Sequence, residues 1–459
     1  MSARARMVVV GGDAAGMSAA SQARRRRDAG DLEIVAFERG GHTSYSACGL
    51  PYYAGDVVKD WRTLVARTPA EFAERDIDAR IRHEVEEIDL RDRRVRVRDL
   101  AAGRSSEEPW DVLVVATGSE PLRPPIPGID LPGVHGLWVL QDGIDLRQAV
   151  DAGPRRAVVV GGGYIGLEAA EALVNRGVPT ALIEAGPQVM GRIDPDMGAL
   201  VSKAVRDVGV ELHTEEQVEA IEGDGRVRAV RTAARTLEAD LVVLGLGTRP
   251  AVGLAEAAGM TLGPSGAIAV NPRMRTSHEG VWAAGDCAEA RHLVSGLPVN
   301  YHLGTIANKQ GRVCGINIGG GYATFPGVVG TAVSKICDVE VARTGLSEAE
   351  LRPLGLSWES ATVDSTTRAG YFPGAAPLRT KVLAERRSGR LLGAQIVGRE
   401  GAAKRIDVFA TAIWNGMAVD EMVNLDLSYA PPFAPVWDPV LIAARKLSEQ
   451  VELTLRDRR

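Results

Sequence analysis

The stretch Ala157-Val158-Val159-Val160-Gly161-Gly162-Gly163-Tyr164-Ile165-Gly166 carries the strongest structural signal in this chain. A run of β-branched residues leads into the spacing G-x-G-x-x-G, and an alanine-rich segment follows it. Strand, glycine turn and helix in this order form the first half of a βαβ unit that binds a dinucleotide. The glycines let the backbone approach a pyrophosphate, which the helix N-terminus attracts. We therefore predict a dinucleotide site at residues 161–166.

A carboxylate follows this turn at the distance that such sites require. Glu184 ends the next predicted strand, eighteen residues after Gly166. Its side chain can accept hydrogen bonds from a ribose 2′-hydroxyl, whereas it would repel a 2′-phosphate. The sequence therefore favours NADH over NADPH, with NADPH left possible. The alternative is that Glu184 simply faces solvent.

A weaker copy of the pattern lies near the start of the chain. Residues 11–16 keep the first and third glycines but place Asp13 at the middle one. Glu38 ends the next predicted strand and supplies the expected ribose partner. Two later strand ends, at residues 116–118 and 285–286, complete a second unit, because the carboxylate of Asp286 can bind a ribityl or phosphate-linked hydroxyl.

Strands and helices alternate through most of the chain, which is typical of an α/β protein. We predict strands at 7–10, 32–37, 157–160 and 179–183, helices at 17–27 and 167–176, and a proline-rich linker at 121–132. From residue 328 the pattern changes to an α+β region. There we predict antiparallel strands at 328–333, 339–344, 357–363 and 378–384, helices at 401–415 and 419–424, and a solvated helix face or frayed tail at 445–459.

Length and composition indicate a soluble enzyme of two to three domains. The chain has 459 residues and a net charge of −5, which gives no reason to expect nucleic-acid binding. No apolar run approaches the roughly 20 residues of a membrane span, and the N-terminus leaves no room for a signal peptide. The four cysteines form neither a disulfide framework nor a metal site. We expect a reduced, cytoplasmic protein without a membrane partner or a bound metal.

One cysteine occupies a distinctive context. Cys48 lies in Ser44-Tyr45-Ser46-Ala47-Cys48-Gly49-Leu50-Pro51-Tyr52-Tyr53, between the two glycine signatures. A dithiol reductase would carry a second cysteine five residues on, where this chain has Tyr53. A single thiol must complete its redox cycle with a sulfur compound from outside the chain. Cys287, Cys314 and Cys337 are interpreted as small buried residues without a redox role.

On these residues the chain resembles the pyridine nucleotide-disulfide oxidoreductase family. Within the family it is similar to the single-cysteine branch of coenzyme A-disulfide reductases, NADH oxidases and NADH peroxidases. The matching segments are 11–16, 44–51, 116–118, 161–166, 285–286 and 429–433. The resemblance implies two Rossmann-like domains, for FAD and NAD, plus a C-terminal α+β dimerisation domain that makes a homodimer. The implied division is 1–120 and 246–325 for FAD, 121–245 for NAD(P)H, and 326–459 for dimerisation.

The resemblance also implies roles for individual residues. Cys48 would face the flavin at a helix start, where the helix dipole lowers a thiol pKa. Tyr371 and Tyr429 would approach the sulfur from the partner subunit, or else they only pack in an interface. The implied cofactor-binding positions are Gly11, Gly12, Ala15, Gly16, Glu38, Arg39, Val85, Ala116, Thr117, Gly118, Gly161, Gly163, Tyr164, Ile165, Gly166, Glu168, Glu184, Gly247, Gly285, Asp286, Gly304 and Thr305.

Departures from the family pattern reduce the number of activities that the resemblance implies. Ala47 precedes the cysteine where coenzyme A-disulfide reductases often have asparagine. Ala14 stands where peroxidases have histidine, which disfavours peroxide reduction. The implied activity is NADH-dependent, FAD-dependent reduction of a small disulfide, most of all coenzyme A disulfide, through a mixed disulfide on Cys48. NADH oxidase, persulfide or polysulfide reductase, and reductase of an iron–sulfur carrier stay as alternatives.

The arginine run 24–27, with Arg62 and Arg67, leaves two interpretations open. Guanidinium groups suit phosphate, so these residues could hold the phosphates of coenzyme A. Alternatively, the run complements the C-terminal end of the first helix.

Overall fold

The computed structural model describes residues 4–456, with side chains described up to residue 452. The first sheet has five parallel strands in the order β18-β7-β1-β2-β3. Their bounds are β1 (Ala5–Val10), β2 (Leu32–Glu38), β3 (Asp78–Ile81), β7 (Val112–Val115) and β18 (Val281–Ala283). An antiparallel meander follows β3, formed by β4 (His83–Asp89), β5 (Arg94–Asp99) and β6 (Arg104–Pro109).

The second sheet repeats the architecture of the first. Five parallel strands in the order β12-β11-β10-β16-β9 are β9 (Val134–His135), β10 (Ala157–Val160), β11 (Thr180–Glu184), β12 (Glu211–Thr214) and β16 (Leu241–Leu244). A smaller antiparallel sheet beside it contains β13 (Val218–Glu222), β14 (Ala229–Thr232) and β15 (Thr236–Glu238). The chain crosses between the two large sheets through a ribbon of β8 (Ser119–Pro121) and β17 (Thr248–Pro250).

The C-terminal region is built on an antiparallel sheet in the order β21-β22-β25-β24-β23. Its strands are β21 (Ala332–Ile336), β22 (Val339–Gly345), β23 (Trp358–Thr366), β24 (Pro377–Glu385) and β25 (Leu391–Gly398). The short hairpin of β19 (Ala290–Arg291) and β20 (Pro298–Val299) precedes it. The mixed α/β class, with an N-terminal redox region and a C-terminal region of different topology, is therefore confirmed. The residue boundaries given for the individual domains remain a prediction.

The helices cover these sheets. They are α1 (Ala14–Arg24), α2 (Leu50–Ala54), α3 (Pro69–Ala73), α4 (Leu140–Asp151), α5 (Tyr164–Asn175), α6 (Pro195–Asp207), α7 (Gly253–Ala257), α8 (Gly304–Ile318), α9 (Glu348–Leu351), α10 (Ile406–Trp414), α11 (Val419–Met422) and α12 (Pro439–Arg456). Short 3-10 turns span Ala47–Gly49, Trp61–Leu64, Arg352–Leu354 and Ala403–Arg405. Within residues 4–456, no helix combines the length and apolarity needed to cross a membrane.

Several predicted boundaries are wrong. Both helices of the glycine units begin three residues earlier than expected, because the last glycine of each motif lies inside the first helical turn. The predicted strand 328–333 starts only at Ala332, and the strand Leu391–Gly398 was missed altogether. The predicted helix 401–415 divides into a 3-10 turn and α10. By contrast, the region 445–459 was predicted as a solvated helix face or a frayed tail, and the helical alternative is confirmed to Arg456; residues 457–459 lie outside the described part.

Candidate active site

The two glycine turns have the same backbone geometry. Gly11 and Gly161 both have positive φ angles, +110° and +103°, which side chains other than glycine rarely adopt. A Cβ atom on Gly16 would lie 2.0 Å from the Gly11 oxygen, and one on Gly166 would lie 1.9 Å from the Gly161 oxygen. Glycine is therefore required for α1 and α5 to pack directly against their turns. Each turn presents a helix N-terminus, which favours an anion such as a pyrophosphate.

The predicted ribose carboxylates are anchored identically at both turns. The Gly12 amide donates to Glu38 Oε2 at 2.8 Å, and the Gly40 amide donates to Oε1 at 2.7 Å. Glu184 accepts from Gly162 and Gly186 amides at 2.6 Å each. The alternative of a freely solvated Glu184 is therefore wrong, since both its oxygens are held against the second turn. Whether either carboxylate binds ribose remains a prediction.

The second turn has room for a nucleotide. A Cβ atom on Gly163 would meet no atom within 4 Å, so the space beside the start of α5 is open. Tyr164 and Ile165 are half-buried at the same helix start. These observations fit a pyridine nucleotide that lies over residues 161–166 with its ribose at Glu184.

The ends of two further strands lie beside the first glycine turn and offer groups that could bind FAD. Asp286 follows β18, and its Oδ2 accepts from the Ser119 hydroxyl at 2.8 Å, while burial raises the pKa of this carboxyl. Gly118 and Gly285 adopt positive φ angles of +70° and +85°. A Cβ on Gly285 would lie 2.9 Å from the Cβ of Ala15, so β18 and α1 approach closely here.

Remaining predicted cofactor positions lie in varied surroundings. Arg39 is exposed, and Ala116 and Thr117 are half-buried, with the Thr117 hydroxyl donating to the Ala251 oxygen. Gly247 has a φ of +88°. The side chain of Val85 is buried in the first core, so only its backbone, beside a β-bulge in β4, remains for a nucleotide.

Helix α8 begins beside the ends of the first sheet. Gly304 and Thr305 are exposed at its N-terminus, and the expectation that this helix end faces the flavin remains a prediction. The buried side chain of Gln310 accepts from the Gly285 amide at 2.8 Å and donates to the Glu289 oxygen at 3.1 Å. Gln310 therefore fixes α8 to the strand end that carries Asp286.

His302 was not identified from the sequence. Its Nδ1 lies 2.5 Å from the Thr248 hydroxyl, and its Nε2 lies 2.5 Å from Asn300 Oδ1. Because the Asn300 amide nitrogen donates to the Asp286 and Ala288 oxygens, Oδ1 is the acceptor and Nε2 must donate. The imidazole joins the β8–β17 ribbon to the start of α8, and burial lowers its pKa. A histidine preceding a helix gives no specific sequence signal.

Cys48 is exposed in the 3-10 turn Ala47–Gly49, immediately before α2. Its chain segment begins at the first glycine turn, where the Ser44 amide donates to the Gly12 oxygen at 3.1 Å. Leu50, two residues after the cysteine, is buried in the core of the second sheet. The cysteine segment therefore bridges the two dinucleotide units, and its thiol remains exposed between them.

The expectation of a lowered pKa for Cys48 is wrong when only the groups of the protein itself are considered. Although Cys48 is accessible to solvent, the protein atoms that enclose part of the residue raise the pKa of the thiol by desolvation, and the carboxylates of Glu168, Asp286 and Asp13 raise it further. A 3-10 turn followed by a five-residue helix provides only a short dipole against this cost. The thiolate therefore needs stabilisation that these side chains do not supply.

Glu168 lies in the first turns of α5 and faces the cysteine. Its Oε1 accepts from the Ser334 hydroxyl of β21 at 3.0 Å, and burial raises the pKa of Glu168 to about 7. Tyr52 interacts electrostatically with both Cys48 and Glu168. It was missed from the sequence, although the i, i+4 spacing from Cys48 places it on the same helical face. These three side chains therefore lie close to one another, and the space that they share is called the cleft below.

The two predicted tyrosines lie together on the C-terminal region. Tyr371 is 78% exposed and Tyr429 is 47% exposed, and the neighbouring Tyr371 side chain raises the pKa of Tyr429. Large apolar side chains are exposed nearby in the chain, at Phe433, Val436 and Trp437. Such an apolar face is typical of a surface that another subunit covers.

The remaining cysteines and arginines do not join the cleft. Cys287 and Cys314 are fully buried, as expected, but Cys337 is half-buried and lies in the turn between β21 and β22 with φ +50°. Arg24 donates to the oxygens of Arg27, Leu32 and Asp76. Arg24 therefore stabilises the C-terminal end of α1, about 15 Å along the helix from the glycine turn at residues 11–16, rather than holding a phosphate.

Arg62 and Arg67, the other two arginines that could hold the phosphates of coenzyme A, contact aromatic rings. Arg62 lies 4.9 Å from the Trp61 ring and pairs with Asp60, and Arg67 lies 5.3 Å from the Phe72 ring. Both guanidinium groups therefore already have partners within the protein. The Arg62 side chain is nevertheless exposed and can still reach a phosphate.

Comparison with known proteins agrees with this geometry. A family model described as pyridine nucleotide-disulphide oxidoreductase matches residues 5–311, and its dimerisation domain matches residues 331–439. A Pyrococcus abyssi protein named NAD(P)H sulfur oxidoreductase (CoA-dependent) is 39% identical over 96% of this chain and 98% of its own. A coenzyme A disulfide reductase of Staphylococcus epidermidis is 28% identical over 94% of this chain and 96% of its own.

A solved structure is also similar over nearly the whole chain. The NAD-dependent persulfide reductase from A. fulgidus superposes with a TM-score of 0.94 and 40% identity, covering 97% of this chain and 84% of its own. The family models together span most of the sequence, and both dinucleotide turns and the C-terminal sheet lie within them. This chain therefore belongs to the pyridine nucleotide-disulphide oxidoreductase family.

Proposed function

We propose that this protein is an FAD-dependent enzyme that uses NADH to reduce coenzyme A disulfide through Cys48. The observation that carries this proposal is the position of one exposed thiol between the two dinucleotide turns, in a cleft with Glu168 and Tyr52. The position five residues after Cys48 holds Tyr53, so the segment itself offers no resolving thiol. The sulfur must then exchange with a thiol compound from outside the chain.

The proposed cycle balances with one external disulfide. The Cys48 thiolate attacks one sulfur of the disulfide, so a mixed disulfide forms and one coenzyme A thiolate leaves. When bound, FAD supplies the two electrons that it receives from NADH. These electrons cleave the mixed disulfide, which returns the Cys48 thiolate and releases the second coenzyme A thiolate. The two departing thiolates take up two protons, one of which derives from NADH.

Other residues of the chain would bind the two cofactors and protonate the departing thiolate. Glu38 and Asp286 would hold FAD, and Glu184 would hold the ribose of NADH. The exposed pair Tyr371 and Tyr429 would reach the sulfur of a partner subunit in a homodimer and protonate a departing thiolate. The exposed apolar face at residues 433–437 and the matched dimerisation domain support the homodimer.

A second candidate substrate is a persulfide or polysulfide. The names of the 39% identical relative and of the 40% identical solved structure favour it. The same thiol would attack the outer sulfur of the persulfide, because a thiolate reacts with any accessible sulfur electrophile. NADH is favoured over NADPH because Glu184, which is held against the second turn, would repel a 2′-phosphate at the proposed ribose position.

The Cys48→Ser variant tests the proposal. Turnover of coenzyme A disulfide by NADH should fall to background, whereas NADH-dependent reduction of ferricyanide, which needs the flavin alone, should be retained. Cys337→Ser is the matched control, because Cys337 is the other thiol that is not fully buried. Disulfide turnover retained by Cys48→Ser would exclude the proposed mechanism. Comparing coenzyme A disulfide with coenzyme A persulfide as substrates then distinguishes the two candidate reactions.

A further inference from the structure

The two glycine turns differ at one position that faces the cysteine segment. Asp13 and Gly163 occupy equivalent places just before α1 and α5, and both have extended backbones, with φ of −111° and −77°. Neither position needs glycine for its backbone conformation. Since a Cβ on Gly163 meets nothing within 4 Å, the equivalent site in the first turn can accept a side chain. The presence of aspartate therefore needs another explanation.

The structural repeat continues into the segments that follow each second strand. The Ser44 amide donates to the Gly12 oxygen at 3.1 Å, and the Met190 amide donates to the Gly162 oxygen at 2.8 Å. Ser44 and Met190 also share a positive φ angle, +48° and +55°. The chain thus returns to each glycine turn in the same way, six residues after Glu38 and six after Glu184.

One contact breaks this equivalence. The Tyr45 amide donates to Asp13 Oδ1 at 3.2 Å, whereas Gly163 has no side chain to receive the amide of Gly191. Beyond Tyr45, the Ser46 amide donates to the Leu64 oxygen and the Gly49 amide donates to the Ser46 oxygen. Asp13 therefore holds Tyr45, which immediately precedes Ser46, the residue at which the turn carrying Cys48 begins.

We propose that Asp13 is a positioning residue that fixes the Cys48 segment to the flavin-side glycine turn. The inference rests on the proposed function of Cys48. The first turn needs this additional contact because its returning segment carries a reacting sulfur, whereas the returning segment of the second turn continues into α6. Keeping a carboxylate here is costly, since burial raises the pKa of Asp13 to about 7, with Glu38 and Asp286 adding to the effect. A glycine would avoid that cost but would leave the Tyr45 amide without its acceptor.

Two variants separate position from charge. Asp13→Gly reproduces the side chain of the second turn and removes the acceptor, whereas Asp13→Asn removes the charge and keeps an amide oxygen for the Tyr45 N–H. Asp99→Gly is the control, because Asp99 also accepts from the backbone, with two amides at 2.9 Å each, in the distant β5–β6 hairpin. All three are prepared as holoenzymes, with flavin content and unfolding temperature measured first.

The measurements are the rate of Cys48 alkylation by iodoacetamide, followed by mass spectrometry, and steady-state kinetics with NADH. For Asp13→Gly we expect faster alkylation and a kcat for coenzyme A disulfide that falls about tenfold or more, as misplacement of a reacting group does. KM for NADH, which would bind at the second turn, should not change. Asp13→Asn should retain most of the disulfide turnover, and Asp99→Gly should match the parent protein.

Three outcomes would overturn the inference. Asp13→Gly could match the parent protein in both alkylation and disulfide turnover, or it could lose flavin, which would assign Asp13 to cofactor binding. Equal behaviour of the glycine and asparagine variants would show that charge, not position, matters. If Cys48→Ser retains disulfide turnover while Asp13→Gly still alters alkylation of Cys48, the positioning role stands and the proposed function fails.

Discussion

At the scale of single residues, the cleft is defined by carboxylates around one thiol. Glu168, Asp286 and Asp13 all raise the pKa of Cys48, although burial is the larger cause. The reaction requires a thiolate. The protein therefore holds the sulfur in a site where its charged form is disfavoured until another group offsets the cost. This arrangement makes the reactivity of Cys48 sensitive to each neighbouring carboxylate.

Glu168→Gln should make Cys48 easier to ionise. The neutral amide removes the strongest unfavourable charge near the thiol, so alkylation at pH 8 should be faster and its pH midpoint should be lower. The amide oxygen can still accept from the Ser334 hydroxyl. Glu171→Gln is the control, since Glu171 raises the pKa of Tyr52, Cys337 and Glu168 but is not among the main causes of the Cys48 shift. An unchanged midpoint in Glu168→Gln would contradict this account of the cleft.

The same substitution should change stability in a pH-dependent way. Burial raises the pKa of Glu168 from 4.5 to about 7, so between these values the folded protein retains a proton that the unfolded chain releases. The parent protein therefore loses stability as pH rises from about 4.5 to about 7. Relative to it, flavin-saturated Glu168→Gln should gain about 2 kcal/mol of unfolding free energy at pH 8, and little at pH 4.5. Denaturant unfolding at both pH values measures the difference; an equal gain at both would refute it.

At the scale of elements, the strand–turn–helix unit was the most predictable part of the fold. The glycine spacing, the β-branched strands and the closing carboxylates follow from local constraints that leave few alternatives. Leu391–Gly398 was missed because all eight of its residues are buried, so it shows no alternation of polar and apolar side chains. The helix starts were misplaced because all the motif glycines suggested a turn. The last glycine of each motif, Gly16 or Gly166, instead lies inside the helix and packs closely against the first glycine of its motif.

Two glycines of the second turn should respond oppositely to alanine. Gly166→Ala places a methyl group 1.9 Å from the Gly161 oxygen and should destabilise the protein by about 3 kcal/mol or more. Gly163→Ala meets no protein atom within 4 Å, so stability should be unchanged. It should instead raise KM for NADH several-fold, as the methyl group would occupy the proposed nucleotide space. Thermal unfolding and NADH titration distinguish these results; equal stability of the two variants would contradict the described packing.

At the scale of the whole molecule, the C-terminal sheet is joined to the second dinucleotide unit by buried charges. Lys381 on β24 lies 3.2 Å from Asp194, 2.9 Å from Asp196 and 2.9 Å from Glu348, and its side chain is 7% exposed. Gln395 exchanges two hydrogen bonds with Asp194, both of 2.8 Å. Asp194 lies 187 positions from Lys381 and 201 from Gln395 in the chain, so no local pattern of the sequence could reveal these contacts.

Lys381→Met should weaken this junction strongly. Removing the cation leaves Asp194 buried without its charge partner, which typically costs 3–5 kcal/mol. Lys404→Met is the matched control, because the Lys404–Asp407 pair is exposed and should contribute less than about 0.5 kcal/mol. Denaturant unfolding measures both losses. Similar values for the two variants would contradict the importance of the buried junction.

The most direct test of the central claim is the intact mass of the protein after exposure to coenzyme A disulfide, before and after treatment with a reductant. The proposed chemistry predicts an added mass of one coenzyme A on each chain, mapped to Cys48 and lost on reduction. A thiol adduct confined to another cysteine, or no adduct under conditions of active turnover, would contradict the claim that Cys48 carries the reaction.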